Sequence, residues 1–91
     1  MRLENKTAVI SGATGAIGAA TCKLYHSEGA NIVMVGRSEN KLQDLMESFE
    51  DKSKLRTIVA NSKDEKEIRD AVHFANEQFG SLDIVLANAG T

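Results

Sequence analysis

Glycines at positions 12, 15 and 18 stand in Val9-Ile10-Ser11-Gly12-Ala13-Thr14-Gly15-Ala16-Ile17-Gly18, directly after an apolar run and directly before a helix-like pattern. The start of a helix offers free amides and a partial positive charge, which can hold a pyrophosphate without a dedicated cation if no Cβ keeps the ligand away. In that chemistry Gly12 makes the tight turn out of a strand, Gly15 lets backbone approach the phosphates, and Gly18 brings the helix close to the sheet. Thr14, Ala16 and Ile17 complete the candidate set. The hydroxyls of Ser11 and Thr14 can reach a phosphate or bond local backbone, and both options stay open. The plain alternative for the whole stretch is a glycine-rich turn with no ligand.

A second feature follows about 20 residues on, where a dinucleotide site that prefers NAD places a carboxylate on the adenosine ribose. Gly36-Arg37-Ser38 stands there instead. A guanidinium can pair with a 2′-phosphate through charge-assisted bonds, and Ser38 can donate another. These residues favour NADP, with NAD the alternative. The competing reading of Arg37 is an exposed loop cation whose field Glu39 weakens.

These groups need a scaffold, and the chain supplies four apolar runs, each of the first three followed by an amphipathic run. Expected strands cover 7–10, 31–35, 55–60 and 82–87, rich in Val, Ile and Leu without strict alternation, as in parallel strands covered on both faces. The first helix starts in the glycine loop, is assigned the stripe Ile17, Ala20 and Leu24, and stops at a left-handed Gly29. The second, with Ser38 as N-cap, carries Leu42, Leu45, Met46 and Phe49. The third carries Ile68, Val72, Ala75 and Phe79, closes at Gly80, and is expected to open on a capping box of Ser62 and Glu65. Lys63, Lys66, Glu67, Arg69 and Asp70 are read as its solvated face. The expected architecture is α/β: a Rossmann-like, doubly wound parallel sheet of four strands in the order 3-2-1-4 with three helices. Winding reverses between strands 1 and 4, and the glycine loop emerges at the crevice this creates.

The chain has 91 residues, enough for one domain, and residues 1–91 are read as the N-terminal dinucleotide-binding part of a single Rossmann-fold domain. A net charge of −2 leaves no basic surface for nucleic acid, and no apolar run approaches the ~20 residues that span a bilayer. One cysteine, Cys22, allows no intrachain disulfide, and the opening Met-Arg-Leu-Glu-Asn-Lys is unlike a signal peptide, so a reducing, cytoplasmic setting is expected. Cys22 reads as a small packed thiol inside the first helix. His26 and His73 are isolated helix-surface residues without metal-site spacing.

Taken together, Asn5-Lys6-Thr7-Ala8-Val9-Ile10-Ser11-Gly12, the glycines, Gly36-Arg37 with Lys41-Leu42, and Phe79-Gly80-Ser81-Leu82-Asp83-Ile84-Val85-Leu86-Ala87-Asn88-Ala89-Gly90 resemble the short-chain dehydrogenase/reductase family over the whole chain. The resemblance implies that Asn88 braces the strands beside the cofactor and that Gly90, with Ala89, lets backbone pass close to the nicotinamide-side ribose. It also implies that Asn61 neighbours the adenine. Four positions depart from the family pattern: Ser11 replaces Thr, Ala16 the middle glycine, Asn61 an Asp and Ala87 an Asn. The glycine spacing resembles the extended branch of the family, whereas Asn88-Ala89-Gly90 resembles the single-domain branch.

The resemblance further implies an NADP(H)-dependent oxidoreductase of a small carbonyl or alcohol once complete, with the proton handled by a Tyr-x-x-x-Lys pair and a Ser. Neither pair nor Ser matches a position here. Tyr25 is followed four residues later by Gly29 and reads as a packing residue, so no catalytic residue is assigned and the chain alone is not expected to turn over. One helix cannot cover four strands. Apolar side chains for both faces and an edge at strand 4 therefore lead us to expect either a longer protein or association of copies through the uncovered face. A non-catalytic nucleotide-binding or self-associating half-Rossmann module is the alternative function.

Overall fold

A computed structural model of the chain describes residues 2–61 and 63–87. Four strands, β1 (Thr7–Ser11), β2 (Asn31–Gly36), β3 (Leu55–Val59) and β4 (Ile84–Ala87), alternate with α1 (Ala16–Ser27), α2 (Glu39–Glu47) and α3 (Glu65–Phe79). The strands form one sheet in the order β3-β2-β1-β4, every pair parallel. This is the doubly wound Rossmann-like arrangement that the sequence pattern implies. Val9 lies between Val33 and Val85, and Ile10 between Met34 and Leu86, so all four C-terminal strand ends reach the same edge of the sheet.

The apolar runs of β1 and β2 lack alternation because both faces are covered there. One core joins Ala8, Ile10, Ile32, Met34 and Leu55 to Cys22, Leu42 and Phe49 beneath α1 and α2. The other joins Val9, Val33 and Val35 to Ala71 and Ala75 of α3, with Phe74, Phe79 and Leu82 around them. Along β1 and β2 the residues divide between the two cores by parity.

The helix ends follow local chemistry. In α1 the amides of Gly29 and Ala30 donate to the carbonyls of His26 and Tyr25 at 3.0 and 3.1 Å, a Schellman closure that needs the left-handed Gly29 (φ 92°). Ser38 Oγ caps α2 by accepting from the Lys41 amide. Phe49, assigned to the α2 stripe, lies beyond the last turn yet is buried with Leu42. Gly80 closes α3 at φ 75°.

Three expectations need correction. The stripe Ile17, Ala20 and Leu24 faces outward, with Ile17 66% and Leu24 58% exposed. The buried face of α1 is Gly18 and Cys22, with Tyr25 packed against the same core. A glycine adds nothing to a hydrophobic pattern, so the face it occupies is overlooked. Second, α3 opens on Asp64, whose carboxylate accepts from the amides of Lys66 and Glu67. Glu65 is therefore the first helical residue and not the third, as the capping box required; Ser62 lies outside the described residues. Third, β4 begins at Ile84 because Leu82 packs toward α3 and Asp83 bonds the start of β1.

Burial in α1 pushes the Cys22 thiol from its ordinary 9.0 up to about 12, the desolvated thiolate being the costly form. The folded chain thus keeps this proton over a range where the unfolded chain releases it. Stability should be unaffected by this group below pH 9 and fall as pH rises from there toward 12. Ellman's reagent at neutral pH should label Cys22 slowly in the native protein and rapidly in denaturant. Equal rates would show that α1 does not seal it.

Candidate dinucleotide-binding site

The loop between β1 and α1 is shaped by two glycines. Gly12 turns the chain out of β1 at φ 64°, a conformation that disfavours any side chain. The following Ala13 is fully buried and donates its amide to the Val35 carbonyl at 3.1 Å, drawing the loop over the end of β2. Gly15, extended at φ −76°, is the N-cap and donates to the Gly12 carbonyl at 3.1 Å. Gly18 lies against this turn: a Cβ there would stand 2.0 Å from the Gly12 oxygen and 2.9 Å from Ala13 Cα.

This packing leaves the start of α1 polar and open. The first intrahelical bond is from the Ala19 amide to the Gly15 carbonyl at 2.8 Å, so the amides of Ala16, Ile17 and Gly18 precede any helical partner. No side chain caps this end, and no acidic residue stands in its first turn. By contrast, α2 and α3 are each capped by a side chain and carry Glu in the first turn. A diphosphate fits the three free donors and the dipole of α1, and the glycines hold them bare. Thr14 sits beside them, its methyl 3.4 Å from where a Cβ on Gly36 would lie. The Ser11 hydroxyl donates to the Leu86 carbonyl of β4 at 3.3 Å, so it is engaged with backbone.

On the other side of the loop, Arg37 and Ser38 emerge from β2. Arg37 is exposed, and among the described residues no carboxylate lies within ion-pair distance of it. Its Nη2 donates to Asn61 Oδ1 at 3.2 Å, joining the ends of β2 and β3. Arg37, Val59, Ala60, Asn61 and Glu67 line an open pocket of about 400 Å³. Ser38 Oγ accepts from the Lys41 amide at 3.3 Å and keeps its own proton to donate.

The structure thus brings Gly12, Thr14, Gly15, Ala16, Ile17 and Gly18 to the end of β1, and Arg37, Ser38 and Asn61 to the ends of β2 and β3. Asn88, Ala89 and Gly90 lie outside the described residues. Glu67, read from the sequence as part of a solvated face, instead lines the pocket and accepts from the Asn61 amide at 3.2 Å. The spacing Asp64-x-x-Glu67 was the available signal, two residues later than the capping box assigned to Ser62 and Glu65. Tyr25, in the last turns of α1, packs against the core, and His26 lies edge-on to Phe49 with centroids 4.8 Å apart.

A family model described as short chain dehydrogenase matches residues 6–91. An uncharacterized oxidoreductase of Staphylococcus aureus (strain USA300) is 35% identical over 88 residues, spanning 97% of this chain and 38% of its own length. A short-chain dehydrogenase/reductase of Brucella melitensis, a glucose/ribitol dehydrogenase by name, superposes with TM-score 0.93 at 32% identity over all of this chain and 38% of its own. A short-chain dehydrogenase/reductase of unknown function from Caenorhabditis elegans, solved with cofactor, gives TM-score 0.78 at 30% identity over 93% of this chain and 33% of its own. The chain therefore spans about two fifths of the length of the relatives it matches.

Gly18→Ala tests the packing on which the loop depends. The Gly12 carbonyl is backbone and cannot swing aside, so the substitution should cost about 1 to 3 kcal/mol in chemical denaturation. A loss below about 0.5 kcal/mol, within the range of ordinary surface substitutions, would contradict the close contact.

Proposed function

The chain belongs to the short-chain dehydrogenase family, and from that premise we propose that it forms the part of an oxidoreductase that binds NADP(H). The observation that carries this reading is the pairing of an uncapped, acid-free start of α1 with an Arg37 that no carboxylate neutralises among the described residues. The amides of Ala16, Ile17 and Gly18 take the pyrophosphate, while Gly12 and Gly15 keep the approach clear and Thr14 borders it. Ile17, exposed at the mouth of the helix, offers the ligand an apolar contact. Arg37 and Ser38 bind the 2′-phosphate, and Asn61 lies on the adenine side. For Asn88, Ala89 and Gly90, which lie outside the described residues, the family resemblance implies a place beside the cofactor and its nicotinamide-side ribose. Bound nicotinamide supplies hydride chemistry; what this chain contributes is binding and orientation, which bring reacting centres together and remove much of the entropic barrier.

The complete protein then acts on a small carbonyl or alcohol, with the proton handled by residues that have no counterpart among positions 1–91. A second reading, self-association of a nucleotide-binding module, draws on Val85: it is 48% exposed on the edge strand β4, while α3 packs chiefly over β1 and β2. Light scattering on this chain should then give twice its mass, reverting to monomer on Val85→Lys. A well-folded monomer removes that reading and leaves the first intact.

The nucleotide preference is tested by titrating NADPH and NADH separately. If Arg37 meets the 2′-phosphate, Arg37→Ala should weaken NADPH binding by about 1.5 to 3 kcal/mol and change NADH little. Equal losses for both would withdraw the NADP assignment.

A further inference from the structure

We propose that Asn61 is a positioning residue for nucleotide choice: its neutral side chain holds the Arg37 guanidinium at the end of β2 without pairing with its charge. The proposal rests on the reading of Arg37 as the group that meets a 2′-phosphate.

Asn61 makes a distinct bond in each direction. Its Oδ1 accepts from Arg37 Nη2 at 3.2 Å and from the Lys63 amide at 2.9 Å, while its own amide donates to Glu67 Oε1 at 3.2 Å. Arg37 and Glu67, of opposite charge, line the same pocket with Asn61, yet they form no ion pair. The Glu67 carboxylate is held by the backbone of residue 61 and the guanidinium by its side chain. The register of β3 fixes the height of this junction, since the Ala60 amide donates to the carbonyl of Gly36, the residue before Arg37, at 2.9 Å.

The neutral side chain matters for two reasons. A long exposed Arg must give up rotamer freedom to bind a phosphate, and an acceptor that already restrains it lowers that cost. A carboxylate at position 61 would restrain it equally well but would pair with the charge, and a phosphate would have to compete with that partner and approach against its repulsion. An amide supplies the restraint without the charge. Asn61 thus restrains the guanidinium without itself becoming an ion-pair partner that a phosphate must displace.

The test titrates NADPH and NADH by fluorescence against the full chain and the variants Arg37→Ala, Asn61→Asp and Asn61→Ala, with circular dichroism to confirm retained helix. Asn61→Asp keeps the acceptor for the Lys63 amide and changes only the charge. It should weaken NADPH by about five- to tenfold and NADH by less than about twofold. Asn61→Ala, which removes the hold but adds no charge, should weaken NADPH by a smaller factor. If Arg37→Ala lowers the NADPH preference but Asn61→Asp leaves it within twofold, the proposal fails while the reading of Arg37 stands. Equal losses for Asn61→Asp and Asn61→Ala would show that restraint alone counts and would overturn the electrostatic role. An unchanged preference in Arg37→Ala, or no binding of either nucleotide to any form, would overturn the underlying reading and the proposal with it.

Discussion

The contact between Gly18 and the Gly12 turn is the constraint from which the site follows. With 2.0 Å between a would-be Cβ and a carbonyl oxygen, only a bare backbone lets α1 settle this close to the end of β1. That proximity points the first three amides of α1 out over the sheet edge where the winding reverses. With Gly15 as its N-cap, the start of α1 also lacks the side-chain cap present on α2 and α3, and no acidic residue stands in its first turn. A cap would satisfy the donors internally and an acid would fill the positive end of the dipole. Leaving both out costs the helix some stability and leaves those donors without an internal cap.

Much of this was legible in the sequence, for reasons that can be stated. The strands and their order could be read because long Val, Ile and Leu runs separated by helical spacing admit few arrangements once crossovers must be right-handed. The helix stops could be read from Gly29 and Gly80, whose left-handed conformations few other residues adopt. What failed was the face of α1. Ile17 and Leu24 are the largest apolar residues there, and a hydrophobic pattern turns the helix toward them, whereas the tightest contact is made by Gly18, the residue with no side chain. The start of α3 was misplaced for another reason: Ser62-x-x-Glu65 and Asp64-x-x-Glu67 are both capping patterns, and the one nearer the apolar run is the cap.

Glu67 shows a different limit. Its charge marks it as solvent-facing, and most of its neighbours along α3 are exposed. As the third residue after the Asp64 cap, however, it reaches back to the Asn61 amide, and the sheet register sets Arg37 beside the same asparagine. A single sequence does not show that two opposite charges share a pocket with a neutral amide between them, because the association is made by strands 24 residues apart. Arg37 could be singled out by its position after β2; its freedom from a carboxylate could only be read from the assembled ends of β2 and β3.

The far edge of the sheet depends on polar ties as much as on packing. α3 lies over β1 and β2 and leaves Val85 half exposed, so apolar burial alone holds β4 weakly. Hydrogen bonds supplement it at both ends of β1. The Thr7 amide donates to Asp83 Oδ2 and the Asp83 amide to the Thr7 carbonyl, each at 2.9 Å, and Thr7 Oγ1 lies 3.2 Å from Ser81 Oγ. At the other end the buried Ser11 hydroxyl donates to Leu86. Because residues of one parity share a face, a shift of one position in β4 would exchange Ile84 and Leu86 for Val85 and Ala87 beneath α1. The same shift would displace the end of β4 relative to the glycine turn. The crevice between β1 and β4 therefore takes its shape from directional bonds at Thr7, Ser11 and Asp83, while the pocket across β2 and β3 takes its shape from Asn61; the two ends of the site are positioned by polar groups on a sheet whose centre is held by burial.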